Sequence, residues 1–165
     1  MKLIWAPWRK KYIRRKKHVP GCIFCRIHRA TPRQDAKNLL LYRSQHSLIM
    51  LNLYPYNNGH LMVVPNRHVS SIERLEDDER LDILKLVDLS LEILRKVFHP
   101  QGFNVGINLG HAAGAGVPGH VHVHIVPRWE ADTNFMPVMS STRVISDSLN
   151  GTYQELHRCL KSAKK

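Results

Sequence analysis

The sequence predicts an α+β fold: an antiparallel sheet of short strands, one long helix and a C-terminal helix. Three observations carry this. Short apolar stretches bounded by Pro, Gly and Asn read as strands, some alternating apolar and polar residues at period two. Residues 77–98 switch to a helical period. The strands come in runs on either side of that helix instead of alternating singly with helices, which favours antiparallel pairing.

The chain has 165 residues, enough for one domain with a proper core. Its 43% hydrophobic and 23% charged residues are ordinary for a soluble globular protein. No apolar run approaches the roughly eighteen residues a membrane helix needs. The opening "KLIWAPWRKKYIRRKK" is interrupted by charge too early for a secretory leader. Three cysteines, two of them in Cys22-Ile23-Phe24-Cys25, do not make a disulfide framework, and a cytoplasmic protein with reduced thiols is expected.

Taken in order, residues 1–18 suggest a short amphipathic piece, in which Trp5, Trp8 and Tyr12 should pack somewhere. Residues 19–38 hold the CxxC and read as loop with a turn or two. "NLLLYRSQHSLIMLNLYP" predicts two strands joined by a turn near Ser44–His46, and Asn57-Asn58-Gly59 is a turn signal. "HLMVVPNRH" resumes as a strand that Pro65 closes. From Asp77 to Phe98 a helix is expected, its stripe formed by Leu81, Leu84, Leu91 and Leu94 with Ile83, Val87 and Val97 beside it. Acidic residues crowd its first turn and basic ones its last, and Pro100 and Gly102 stop it. "FNVGINL" is a further strand, "GHAAGAGVPG" a glycine-rich loop, and a last helix covers about Ser146–Lys161.

The stretch with most chemistry is "GHVHVHIVPRW", Gly119 to Trp129. Side chains at i, i+2 and i+4 of a strand share a face. His120, His122 and His124 therefore point one way and Val121, Val123 and Ile125 the other, into a core. At roughly 3.3 Å per residue the outer Cα atoms are about 13 Å apart, so two of the rings could share a metal ion but all three are at the limit of reach. Alternatively the row handles anions: imidazoles donate hydrogen bonds, titrate near neutral pH and can attack phosphorus. The loop Gly110–Gly119, with its several glycines, could cradle phosphate with backbone amides, although it lacks the Gly-Lys-Ser/Thr of a Walker loop.

The charge is lopsided. Net charge is +12, the first acidic residue is Asp35, and eleven Lys and Arg precede it, so the rest of the chain is close to neutral. Such an arm could touch nucleic acid or gather phosphorylated small molecules by long-range attraction. Cys22 and Cys25 are half of a four-coordinate zinc site, with His28, His46, His68 and His120 as spare ligands; inert thiols are the alternative.

Together these residues resemble the histidine triad (HIT) family. The resemblance rests on the His120–Val126 row followed by Pro127-Arg128, on "LNLYPYNNGHLMVVPNRH" and "GFNVGINLG" upstream, and on "PRWEADTNFMPV" downstream. It extends to the branch of bacterial diadenosine tetraphosphate phosphorylases through "WAPWRKKYI" and "NLYPYNNGH". It implies a basic N-terminal segment with the CxxC over residues 1–38 and a HIT domain over 39–165, forming a homodimer with a joint sheet. It implies His122 as nucleophile, forming a nucleotidyl-histidine, with His124 and His60 as further catalytic residues. Asn52 falls at a ribose contact, Asn108 at a phosphate contact, and Gly114, Gly116 and His124 at the phosphates. A structural zinc ion on Cys22, Cys25, His68 and His120 is implied, and no catalytic metal. Gly116 and Val117 depart from the side-chain donors that many members carry there. The activity expected is phosphorolysis of diadenosine tetraphosphate to ADP and ATP. Hydrolysis of dinucleoside polyphosphates or nucleoside phosphoramidates is the enzymatic rival. A zinc-stabilised nucleotide- or nucleic-acid-binding module without turnover is the rival of another class.

Overall fold

The computed structural model describes residues 21–130, 132 and 147–162; the piece expected in residues 1–18 lies outside them. Five strands form one antiparallel sheet: β1 (Leu40–Arg43), β2 (Ser47–Leu51), β3 (Leu61–Pro65), β4 (Gly102–Ile107) and β5 (Val123–Arg128), in the order β1-β2-β3-β5-β4. Three α-helices accompany it: α1 (Ile23–Arg29), α2 (Asp77–Phe98) and α3 (Leu149–Ser162). Among the described residues no helix is long and apolar enough to cross a membrane.

Every residue of β2 and β3 is buried, because helices cover both faces of the sheet there. This is why "SLIML" and "LMVVP" read as near-continuous apolar runs. On one face Ile49, Leu51, Leu61, Val63, Val123 and Ile125 pack under α2 and α3. On the other, Leu40, Leu48, Met50, Met62 and Val64 are covered by Phe24 and Ile27 of α1. The register Leu61↔Ile125, Met62↔His124, Val63↔Val123 places the histidines on this second face and the intervening valines on the first.

The segment expected as loop between residues 19 and 38 contains the seven-residue helix α1. Only Phe24 and Ile27 of it are buried, and one apolar pair at i, i+3 is too short a pattern to announce a helix. Tertiary contacts supply what periodicity lacks. Arg43 of β1 grips Asp35 with Nε and Nη2 and donates to the carbonyls of Ile27, His28 and Ala30 at the C-terminal end of α1. A cation there satisfies orphan carbonyls and complements the helix dipole.

Helix α2 has the predicted limits, but its buried stripe matches the predicted one only in part, at Leu94 and the flanking Ile83. Glu79, Ile83, Leu86, Ser90, Ile93 and Leu94 face the core, while Leu81 and Leu84 are 52% and 62% exposed. Two polar side chains disguise the true stripe. Ser90 returns its hydroxyl to the Leu86 carbonyl at 2.7 Å, and Glu79 holds Arg67 with both oxygens, at 2.9 and 2.7 Å. Glu79 also closes a capping box with Glu76. The helix ends on His99 in the left-handed conformation.

The turn between β2 and β3 is pinned to α2 at Gly59. Its φ is +72°, and a Cβ there would lie 3.1 Å from Leu94 Cδ2 and 3.2 Å from Phe98 Cδ2. Gly59→Ala therefore meets both a left-handed penalty and a crowded contact. We expect a loss of about 1–3 kcal/mol in denaturant-induced unfolding; an unchanged midpoint would show that the turn is not held against α2.

Candidate active site

The three histidines stand where β5 begins. The ladder opens at Val123, so His124 is in the strand while His120 and His122 immediately precede it. The Val121 amide nevertheless bonds the Val69 carbonyl at 2.7 Å, which keeps the approach extended and tied to the chain beyond β3. Val121, Val123 and Ile125 enter the core as expected. The imidazoles are themselves buried, not displayed on a surface. Phe24 leans on the His122 ring at 5.0 Å between centroids and on His120 at 5.4 Å.

Hydrogen-bond partners fix the ring tautomers. His122 Nδ1 lies 2.8 Å from the carbonyl oxygen of His120, which can only accept, so Nδ1 carries the proton and Nε2 holds a lone pair. His60 Nδ1 receives the Tyr56 amide at 3.0 Å and the Asn52 side-chain amide at 3.3 Å. It must therefore be the unprotonated nitrogen, and His60 Nε2–H donates to His124 Nδ1 at 3.0 Å. That leaves the proton of His124 on Nε2, a buried donor with no partner among the described residues. A donor kept in this state beside a nucleophilic nitrogen suits a phosphoryl oxygen.

Burial sets the charge of these rings. His60 is pushed down to about 3 by burial and by His124 and His122. His124 is pushed down to about 4 by burial and by His122. Burial also lowers His122, against the opposing hydrogen bond to the His120 carbonyl. All three are neutral at pH 7, which is the form in which His122 can attack.

Cys22, Cys25, His68 and His120 bring one ligand atom each into a group whose members all lie within 4.8 Å of one another. Cys22 Sγ and Cys25 Sγ are 3.3 and 3.7 Å from His120 Nδ1, Cys25 Sγ is 3.3 Å from His68 Nδ1, and the two Nδ1 atoms are 3.2 Å apart. Tetrahedral zinc with ordinary N and S bonds needs ligand separations of about 3.3–3.8 Å, so the donor set fits. His120 Nε2–H donates to the Pro65 carbonyl at 2.8 Å, which leaves Nδ1 free to bind metal. Burial and the adjacent Cys22 sulfur push the Cys25 thiol up, a strain that a cation would relieve.

The remaining predicted residues are placed as follows. Asn52 is half-buried, its amide spent on His60 and its oxygen accepting the Tyr54 amide at 3.0 Å. Asn108 follows β4; continuing the register Ile107↔Val123 by one residue sets it across from His122. The Gly114 amide bonds the His111 carbonyl at 3.0 Å, inside the loop, and Gly116 is exposed. Arg128 is committed to Asp132 through Nε and Nη2 and to Asn104 through Nη1. Sequence reasoning missed Phe24, the Tyr56 amide and the Pro65 carbonyl; a backbone group leaves no residue-type signal.

A five-stranded antiparallel sheet bearing this row on one face defines a histidine-triad architecture. The HIT domain family model matches residues 33–131. The chain is 37% identical over 157 residues to AP-4-A phosphorylase of Mycobacterium tuberculosis, spanning 90% of this chain and 79% of that protein. It is 35% identical over 108 residues to adenosine 5'-monophosphoramidase of Schizosaccharomyces pombe, spanning 66% and 74% respectively. A Zn-bound histidine triad family protein from Mycobacterium smegmatis superimposes with a TM-score of 0.68 at 23% identity, over 87% of this chain and 96% of that one. The chain belongs to the HIT family.

The depressed imidazoles make stability pH-dependent. His60 and His124 are neutral in the fold down to about 3 and about 4, while the unfolded chain binds protons near the ordinary value of 6.5. Between these limits the unfolded state holds more protons, so stability is full above pH 6.5 and falls as pH drops toward 4. Urea unfolding from pH 7.5 to 4.5 should show this slope, reduced in His60→Gln; a flat profile, or an unreduced slope in the variant, contradicts the assignment.

Proposed function

We propose that this protein transfers a nucleotidyl group through His122, phosphorolysing diadenosine tetraphosphate to ADP and ATP. The observation that carries the reading is the His122 tautomer: Nδ1–H is bound to the His120 carbonyl, so Nε2 offers its lone pair. The likeness to AP-4-A phosphorylase supports the choice of substrate and acceptor.

In the first step His122 Nε2 attacks the α-phosphorus, the bond from phosphorus to the bridging oxygen breaks, and ATP leaves. Charge on the phosphoryl oxygens is met by the unpartnered Nε2–H of His124. In the second step an oxygen of inorganic phosphate attacks the nucleotidyl-histidine, ADP departs, and His122 regains its lone pair. Asn108, which the β4–β5 register continued by one residue sets across from His122, is suited to the phosphates. The second lone pair of the Asn52 oxygen is suited to a ribose hydroxyl. Gly114 and Gly116 lie in the loop proposed to meet the phosphates, and the Gly114 amide bonds the His111 carbonyl. With both Asp132 oxygens on its guanidinium, Arg128 is a poor acceptor site for free phosphate.

Incubation with diadenosine tetraphosphate across a phosphate titration separates the enzymatic readings. ADP plus ATP, at a rate rising with phosphate, is expected; AMP plus ATP at a rate indifferent to phosphate makes the protein a hydrolase. His122→Gly should lose at least ~10³-fold in kcat while still binding AMP. Near-normal turnover in this variant would remove the covalent route, and no turnover in the wild type would leave the binding-module reading.

A zinc ion on Cys22, Cys25, His68 and His120 would act as a crosslink, joining the start of α1 to the chain after β3 and the start of the histidine row. Free cysteines at 22, 25 and 159 suit a reducing, cytoplasmic setting. A second copy is the proposed partner at β4, one of the two edge strands of the described sheet, where Val105 is 48% exposed; nucleic acid is the less favoured partner. About one zinc per chain is expected by elemental analysis, and Cys22→Ser should lower the melting temperature by about 5 °C or more. Metal-free protein purified without chelator, or unchanged melting in the variant, counts against the site.

A further inference from the structure

We infer that Asn57 is a positioning residue: by tying the β2–β3 turn to the end of β5 it holds the Tyr56 amide on His60 and so keeps the proton of His124 on Nε2. This rests on the roles given above to His122 and His124. The His60–His124 pair determines its own tautomers only if something breaks the symmetry, since a proton could sit on either side of the shared bond. What breaks it is the pair of donors on His60 Nδ1, the Tyr56 amide and the Asn52 side chain. Asn52 at 3.3 Å is the longer of the two and is braced within the same turn, through its oxygen to the Tyr54 amide. The Tyr56 amide at 3.0 Å is the stronger donor, and its place depends on where the turn lies.

The Tyr56 ring of the turn lies against the rings of His60 and His124, at 4.7 and 5.8 Å between centroids, while Leu53 and much of Tyr54 and Tyr56 are exposed. At its far end Gly59 meets α2. A ring contact fixes no backbone amide by itself; the polar anchor in the middle of the turn is Asn57, whose Nδ2 donates to the Pro127 carbonyl at 3.1 Å and to Asp132 Oδ2 at 2.9 Å. Its oxygen accepts the Asn58 amide at 3.0 Å, and its carbonyl accepts the His60 amide at 3.3 Å. Asp132 is in turn fixed by Arg128 and by the Trp129 amide. Pro127 stands three residues beyond His124 on the same strand. One side chain thus references the turn that sets the His60 tautomer to the strand that carries His124. Asn is suited to this because it offers two N–H donors and an acceptor on one short side chain.

Imidazole nitrogen–proton correlation spectra of the full-length protein, recorded without substrate, read the tautomers directly. Wild type should show His60 and His124 both protonated at Nε2. In Asn57→Ala the His124 nitrogens should move toward tautomer averaging, with kcat down about tenfold, a part of the 10²–10⁴ typical of a positioned proton donor, and KM within about twofold. Asn57→Ser, compatible with a turn, should behave alike and serves if the alanine variant does not fold. Asp132→Asn retains an acceptor for Asn57 and should keep the wild-type tautomers, which a merely destabilising role would not distinguish. His124 protonated at Nδ1 in the wild type, or wild-type tautomers in a folded Asn57 variant, overturns the inference. Correct tautomers in a wild type without nucleotidyl transfer would instead fail the function proposed above and leave this one standing.

Discussion

The hydrogen bond from His122 Nδ1 to the carbonyl of His120 is the interaction on which the site depends. It determines which nitrogen of His122 is nucleophilic, and its acceptor belongs to a residue whose ring is held from two other directions. His120 Nε2 is bound to the Pro65 carbonyl and its Nδ1 points at Cys22, Cys25 and His68. The backbone of His120 can aim His122 only as well as the ring of His120 is fixed. The thiol–imidazole cluster and His122, the proposed nucleophile, are therefore one mechanical unit. Phe24 reinforces the unit: it lies between the two cysteines in sequence and against both rings in space.

Burying four imidazoles costs solvation, and the fold meets that cost by making them neutral and giving most of their nitrogens a partner. His60 is the extreme case, fully buried, with both nitrogens bonded. Of the two nitrogens of these rings without a hydrogen-bond partner among the described residues, His122 Nε2 and His124 Nε2, the second is informative because it is a buried donor. A neutral donor that has already lost its hydration needs little reorganisation when charge develops on a phosphoryl oxygen. The same burial that depresses these rings thus leaves an unprotonated Nε2 on His122 and a buried Nε2–H on His124.

Much of this was legible in the sequence, and the misses have identifiable causes. The histidine row and its valines could be read because the period-two pattern is set by sterics that tertiary contacts did not override. The stripe of α2 is legible only in part, at Leu94 and Ile83, because leucines at 81 and 84 face solvent while Ser90 and Glu79, each with its polar groups answered, face the core. Helix α1 was missed because it is stabilised chiefly by Arg43 and by two apolar residues, neither of which makes a period. Four histidines were open as partners for the CxxC, and family resemblance, not spacing, selected His68 and His120. The tautomer relay could not be read at all, since it turns on the amide of Tyr56 and the side chain of Asn57, a residue that in sequence signals only a turn.

The spacing of the row finally explains why it is divided between two tasks. Four residues of extended chain set His120 and His124 about 13 Å apart at Cα, too far for both to share an ion comfortably with the ring between them. The outer rings therefore turn to different neighbours: His120 to sulfurs delivered by α1, His124 to an imidazole delivered by the β2–β3 turn. His122 bonds to neither group of partners by its ring nitrogens; its Nδ1 goes to the main chain, and Nε2 keeps its lone pair. A closer spacing would put the flanking groups on His122, and a wider one would take its orientation out of the reach of His120. Period two sets one imidazole among the Cys22, Cys25 and His68 side chains, one against His60, and a third between them with its Nε2 lone pair uncommitted.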